Sequence, residues 1–210
     1  MKKIFAVMLC FFMVLSFTAC GGNKSTEQEN ATLPVSDVLV RSVYNEMDGS
    51  YYNSYTQLTI TPPTDWHVYT DNDLAMSLLG GAVTGDEFAM WSSADFKNKT
   101  IIPDFAVMDM ANSNELSVVF VNLEQLENAE YMDEDTVLSM IIQSQLEQGR
   151  ILQKSGDTVV LGDKEFRFLE FNDMSTSWYF MTGRQDNYVT VITATDRSGV
   201  GFEMFKSFIG

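Results

Sequence analysis

Apolar and polar positions alternate with a period of two in several stretches of the chain. In "SYYNSYTQLTITPPTDWHVYT", Leu58 and Ile60 alternate with Thr59 and Thr61, which predicts a strand, and Pro62-Pro63 ends it. Trp66 to Tyr69 reads as a second short strand. Asp71 or Asp73 can cap a helix through Leu79, stopped by Gly80-Gly81, and another helical stretch is expected between Asp86 and Lys97. "DFAVMDM" and "ELSVVFVNL" read as strands joined across Asn112-Ser113-Asn114. In "DEDTVLSMIIQSQLEQG" the period lengthens to that of a helix. Val137, Met140, Ile141 and Ser144 share one face, with Leu138, Ile142 and Leu146 beside it. Acids occupy the first turn and Gly149 follows the end. "TVVLGDKEFRFLEF" then predicts a hairpin turning at Gly162-Asp163, and "SWYFMTGRQDNYVTVITAT" a hairpin turning around Gln185 to Asn187. A short helix from Gly199 to Phe208 closes the chain.

Both faces of these hairpins are apolar. Phe166 and Phe168 point one way, Leu169 and Phe171 the other; Val189 and Val191 oppose Tyr188, Ile192 and Ala194. A sheet greasy on both sides needs a covering layer on each, and four candidate helices are available. The expected class is α+β: a mainly antiparallel sheet with helices on both faces, an α/β/α sandwich. No repeat and no second linker interrupts residues 38–210, so one globular domain is expected there.

The first 20 residues follow a different pattern. Lys2 and Lys3 precede an almost wholly apolar run from Ile4 to Phe17, and Thr18-Ala19 has the small residues of a cleavage site. The run is shorter than the about 20 apolar residues that span a bilayer. Cys20 follows the small pair directly, and the stretch resembles a bacterial lipoprotein signal of Gram-positive type, with Phe17 where the usual box has Leu. The resemblance implies that residues 1–19 are removed and that Cys20 carries a diacylglycerol, holding the protein on the extracytoplasmic side of the cell membrane. Two acyl chains make such an anchor stable where one does not. Residues 20–37 then read as a lipidated cysteine and flexible tether, since Asn23 to Thr32 contain nothing large and apolar to bury.

Composition narrows the chemistry. Cys10 leaves with the signal and Cys20 carries lipid, so no disulfide and no reactive thiol remain for the domain. The net charge is −16, or −18 once Lys2 and Lys3 are gone, which argues against nucleic-acid binding. A single histidine, His67, rules out a histidine-rich metal site, and no G-x-S-x-G elbow accompanies it. The glycines of "LLGGAVTGDEF" do not make a phosphate loop, because Asp86 and Glu87 stand where Lys-Ser/Thr is required. Asp71-x-Asp73 and Asp133-x-Asp135 lack the ordered ligand spacing of a calcium loop and read as helix caps. No cofactor is expected. The thirteen methionines and three tryptophans read mainly as core, Trp66 and Trp178 both lying in strand patterns. Asp109, between Met108 and Met110, reads as a strand position. It is either partly buried against a base such as Arg167 or Arg184, or exposed at an edge.

The opening "YYNSYTQLTITPPTDW", the helix after it, and the closing order of hairpin, hairpin and helix resemble the PsbP-like fold, a layout shared with lipoproteins of Gram-positive bacteria. That fold is known mostly from non-catalytic accessory proteins, so the resemblance implies a binding role; it supplies no functional residue. The alternative is a carboxylate-based hydrolase of extracellular polymers, marked by two close carboxyls whose pKa values are pushed apart.

Charge is unevenly spread. Between Lys99 and Arg150 the chain has ten acids and no base, whereas from Arg150 onward seven bases face eight acids. Asp133, Glu134 and Asp135 suit a helix N-terminus, but Glu124, Glu127 and Glu130 precede it and gain little from its dipole. They are expected to form an exposed acidic lobe for a basic protein partner or weakly bound calcium, on a protein expected to be a monomer.

Overall fold

The computed structural model describes residues 35–210. The expected signal peptide, Cys20 and the tether as far as residue 34 lie outside the described residues. Seven strands form one antiparallel sheet: β4 (His67–Val68), β5 (Ile101–Met108), β6 (Glu115–Asn122), β7 (Ile151–Leu161), β8 (Lys164–Asn172), β9 (Ser177–Gln185) and β10 (Tyr188–Asp196). Their spatial order is β4-β5-β6-β10-β9-β8-β7. A second, three-stranded sheet is built from β1 (Val43–Asn45), β2 (Ser50–Asn53) and β3 (Leu58–Ile60). The helices are α1 (Asp71–Leu78), α2 (Gly85–Ala89), α3 (Ser93–Phe96), α4 (Glu134–Glu147) and α5 (Phe202–Lys206).

The two greasy faces of the large sheet are covered differently. On one, Val119, Val121, Leu169, Phe171, Phe180, Val189 and Val191 pack with Leu74 and Leu78 of α1, Phe88 of α2, and Val137, Leu138 and Ile141 of α4. On the other, Phe166, Phe168, Met181 and Ile192 meet Phe205 of α5 together with Leu58 and Ile60 of the small sheet. The fold is therefore α+β with helices on both faces, and the second face is shared with a small sheet. Its strand β3 is the one expected from Leu58 and Ile60, whereas β1 escapes the sequence pattern because it is exposed at all three positions and offers no apolar alternation. The chain's end is stitched to the small sheet: Thr59 and Gly210 exchange backbone hydrogen bonds at 2.9 Å.

Caps define the helices. Thr70, and not Asp71 or Asp73, is the N-cap of α1. Its hydroxyl accepts from the Asp73 N–H, while the Asp73 carboxylate accepts from the Thr70 N–H at 2.9 Å. Asp133 caps α4, accepting from the Thr136 N–H at 2.9 Å. The helical stretch expected over 86–97 is two short helices, each opened by its own capping box.

Two sequence expectations need correction. Asp109 is not a strand residue. β5 ends at Met108, and the exposed Asp109 carboxylate accepts from the Ala111 and Asn112 N–H groups and the Asn112 amide, pairing with neither Arg167 nor Arg184. These bonds hold its pKa below the ordinary carboxylate value. The hairpin needs this acceptor to turn, which is why an acid interrupts the apolar run. The methionines are not mainly core: Met181 is buried, but Met47, Met76, Met90, Met110 and Met174 are exposed. They sit on turns and outer helix faces, where no neighbour encloses the flexible side chain.

The buried acid of β5 is Asp104. Register with β6 slips between Pro103 and Phe105, a bulge that also accommodates the proline where β4 does not reach. The Asp104 carboxylate is 5% exposed and accepts from the Ser42 N–H, from the Ser42 hydroxyl at 2.7 Å and from the Asn53 amide at 3.1 Å. Burial still raises its pKa, against those bonds and the nearby Arg41. Arg41 pairs with Asp71 at 2.6 Å and lies 4.2 Å from the Phe88 ring centre, fastening the N-terminal segment to α1 and α2.

Candidate functional site

On the helical face, β8 and β9 change character partway along. Leu169 and Phe171 of β8 are apolar, but Arg167 and Glu165 continue the same face; on β9, Trp178 and Phe180 give way to Thr182 and Arg184. Register places Arg167 opposite Thr182, so both strands turn polar at the same level. This is where α4 begins. Its first residue, Glu134, accepts a hydrogen bond from the Thr182 hydroxyl at 2.7 Å, and Asp135 pairs with Arg167.

A cleft of about 260 Å³ opens here, lined among others by Glu134, Lys164, Glu165, Arg167, Thr182 and Arg184. Neighbours hold each charge in place. The Lys164 ammonium donates to the Gln185 side-chain oxygen at 3.1 Å, and the Gln185 amide donates in turn to the Tyr55 carbonyl at 3.0 Å. The Arg184 Nε donates to the Asp186 carbonyl at 2.9 Å, leaving the two terminal nitrogens for other partners. Glu165 accepts from the Thr158 hydroxyl at 2.6 Å. Burial lowers the Lys164 pKa, while Arg184 helps to hold Asp133 below the ordinary carboxylate value, behind two bonds from Thr136. Gly183 in the lining has no room for a side chain: a Cβ there would lie 2.9 Å from the Phe166 ring.

The residues singled out by sequence fall elsewhere. Cys20 is outside the described residues. Glu124, Glu127 and Glu130 are all exposed, on the connection between β6 and α4 that forms two 3-10 turns, Leu123–Gln125 and Ala129–Tyr131. Glu124 accepts from the Asn187 amide at 2.6 Å, which ties this connection to the β9–β10 turn beside the cleft. No cluster of three or more metal-ligating side chains occurs among the described residues. His67 lies 3.5 Å from the Asp73 carboxylate and beside Tyr69, on a different strand from any cleft residue. Trp66 and Trp178 are buried core, the latter beneath the Arg150 guanidinium.

Sequence reading missed the cleft, although its signal is visible in "KEFRFLEF" and "SWYFMTGRQ". Each strand carries charge or hydroxyl on the face that is apolar a few residues away. Only the register shows that the two polar ends coincide. Two other carboxyls are perturbed by burial, Asp104 and Glu115, the latter pushed up to about 7 against the opposing charge of Arg197; neither lines this cleft.

No protein-family model matches the chain, and no curated protein matches it. Among solved structures, the solution structure of cyanobacterial PsbP (CyanoP) from Synechocystis sp. PCC 6803 is similar in layout. The match covers 92% of this chain and 97% of that one, at 11% identity and a TM-score of 0.43.

Proposed function

We propose that the protein is a lipid-anchored, extracytoplasmic binding or accessory module with a PsbP-like layout, and not an enzyme. The observation that carries the binding reading is the cleft at the start of α4. Its charged side chains are positioned by threonine, glutamine and backbone partners, and no histidine, cysteine or serine lines it. Such a lining of held charges and hydroxyls suits recognition of a polar ligand. The anchoring half of the proposal rests on the junction Thr18-Ala19-Cys20. Of the exposed acids Glu124, Glu127 and Glu130, the first is tied to the β9–β10 turn, and the three suit the approach of a basic partner, which they would speed through the on-rate.

Cys20→Ala tests the anchor. It should move the protein from the membrane fraction into the medium or leave it unprocessed, and a wild-type-like membrane fraction without a lipid adduct by mass spectrometry overturns the assignment. One observation favours the hydrolase alternative, namely that Glu134 and Glu165 share a cleft. An enzyme would lose all hydrolysis of extracellular polysaccharide on Glu134→Gln or Glu165→Gln, whereas a module has no such activity to lose.

A further inference from the structure

The helical face of the large sheet is also polar at the end opposite the cleft. α1 packs against β5, and α4 against β7 and β9, so β6 and β10 run between the two helices. On this face the two central strands present Val119, Val121, Val189 and Val191 towards one end, and Glu115, Ser117, Thr193 and Thr195 towards the other. Register sets Thr193 opposite Ser117 and Thr195 opposite Glu115. Trp178 of β9 stands beside Thr195, and Met108 of β5 beside Glu115.

Ser117 is 5% exposed, and Thr193 and Thr195 are each 7% exposed. None of the three hydroxyls makes a hydrogen bond among the described residues, yet none is sealed from solvent. Burying a hydroxyl without a partner is unfavourable, so three in one place call for a guest that bonds to them. Glu115 beside them has no protein donor either, and burial raises its pKa to about 7 although Arg197 opposes the rise. The place disfavours negative charge, and an anionic guest would meet the same penalty. A cationic guest would face Arg197, with Arg150 near it over Trp178. An uncharged guest rich in hydroxyls meets neither penalty. Each of its hydroxyls donates and accepts, as those of Ser and Thr do, and can donate to Glu115. Opposed side chains on adjacent strands lie about 4.5–5.5 Å apart at Cβ, a span that the hydroxyls of one sugar ring cover.

We propose that the gap between α1 and α4, floored by Ser117, Thr193, Thr195 and Glu115, binds a small uncharged polyol, as in a free monosaccharide or the end residue of a glycan. The site shares no side chain with the cleft at the start of α4. It rests on the reading of the domain as a binding module, which the hydrolysis assays on Glu134→Gln and Glu165→Gln test separately. Hydrogen bonds donated by the guest stabilise the ionised form of Glu115, so binding releases a proton near pH 7. The titratable neighbours of Glu115 are Arg197 and Tyr69, with Asp73 and His67 beyond Tyr69.

The test is isothermal titration of the full chain, in a detergent whose headgroup is not a sugar, with glucose, galactose, mannose, ribose and N-acetylglucosamine and with their methyl glycosides. At least one should bind, while acetate, ethylammonium and acetamide at the same concentration should not. Preference for the free sugar over its methyl glycoside identifies a monosaccharide as the source, and the reverse a glycan end. At pH 7 the heat should differ between two buffers of different ionisation heat, and the difference should vanish in Glu115→Gln. Thr193→Val and Thr195→Val keep the shape and remove the hydroxyl. Each should weaken binding about threefold to tenfold without lowering the unfolding midpoint. Should either unfold, Ser117→Ala reads the same floor. The proposal is overturned if no sugar binds at tens of millimolar, if acetate, ethylammonium or acetamide binds as tightly as the best sugar, or if the folded variants bind like the wild type.

Discussion

Glu115 opens β6, partly buried, where burial raises its pKa to about 7 and Arg197 opposes the rise. In the unfolded chain a glutamate titrates near its ordinary value of about 4.3. Between those two values the folded state binds more protons, so the stability this group allows is full below about pH 4.3 and is lost as pH rises to about 7. Glu115→Gln removes the penalty. Its thermal midpoint should exceed the wild type at pH 8, by the equivalent of at most about 4 kcal/mol, and converge with it at pH 4. Equal midpoints at both pH values would show that the carboxyl is solvated. Gly183 is a second residue whose role is local. Its missing side chain leaves room for the Phe166 ring, so Gly183→Ala should cost about 1–3 kcal/mol in urea unfolding through overpacking.

At the scale of elements, caps close the first turns of the short helices and packing on the sheet holds them in place. α1 has eight residues, too few to persist without packing and a closed first turn. Thr70→Ala should lower stability by about 1 kcal/mol, read as a shift in urea midpoint at constant slope. The connection between β6 and α4 behaves oppositely. Glu124, Glu127 and Glu130 are exposed on it, and glutamine can still accept the bond from Asn187. Replacing all three with glutamine should leave the midpoint within about 0.5 kcal/mol of wild type. A basic partner should then associate more slowly at low salt, with the difference closing as salt rises. β7 shows how an edge is kept from pairing with other chains. Its register with β8 slips on both sides of Lys154, and Gly156 has a φ of +84°, so no long straight edge is offered.

For the molecule as a whole, both covering layers are needed because the sheet is apolar on both sides. Ile141 belongs to the helical layer and Phe168 to the face shared by α5 and the small sheet. Ile141→Ala and Phe168→Ala should each cost about 2–5 kcal/mol, measured by denaturant unfolding. Deleting residues 21–32, which contain nothing large and apolar, should leave the midpoint unchanged. A deletion as harmful as either core change would contradict the tether reading.

Local chemistry explains which of these features the sequence determined by itself. Period-two alternation over Phe166 to Phe171 and Val189 to Ala194, with turn residues between the runs, determines strands, hairpins and the two-sided sheet, because side-chain direction along a strand depends only on parity. The helical period from Val137 and the acids before it determine α4. Thr18-Ala19-Cys20 determines the expectation of an anchor. What depends on partners distant in the chain had to come from tertiary structure. The small sheet exists because β1 to β3 pair with one another on the face they share with α5, not because β1 has any apolar pattern. Asp104 is buried because a bulge turns it towards Ser42 and Asn53, and Asp109 lies beyond the strand because the hairpin turn uses its carboxylate. The cleft belongs to the same class. Arg167, Arg184 and Glu134 come from three elements, and only the register of β8 on β9 and the seating of α4 bring them to one face of the sheet.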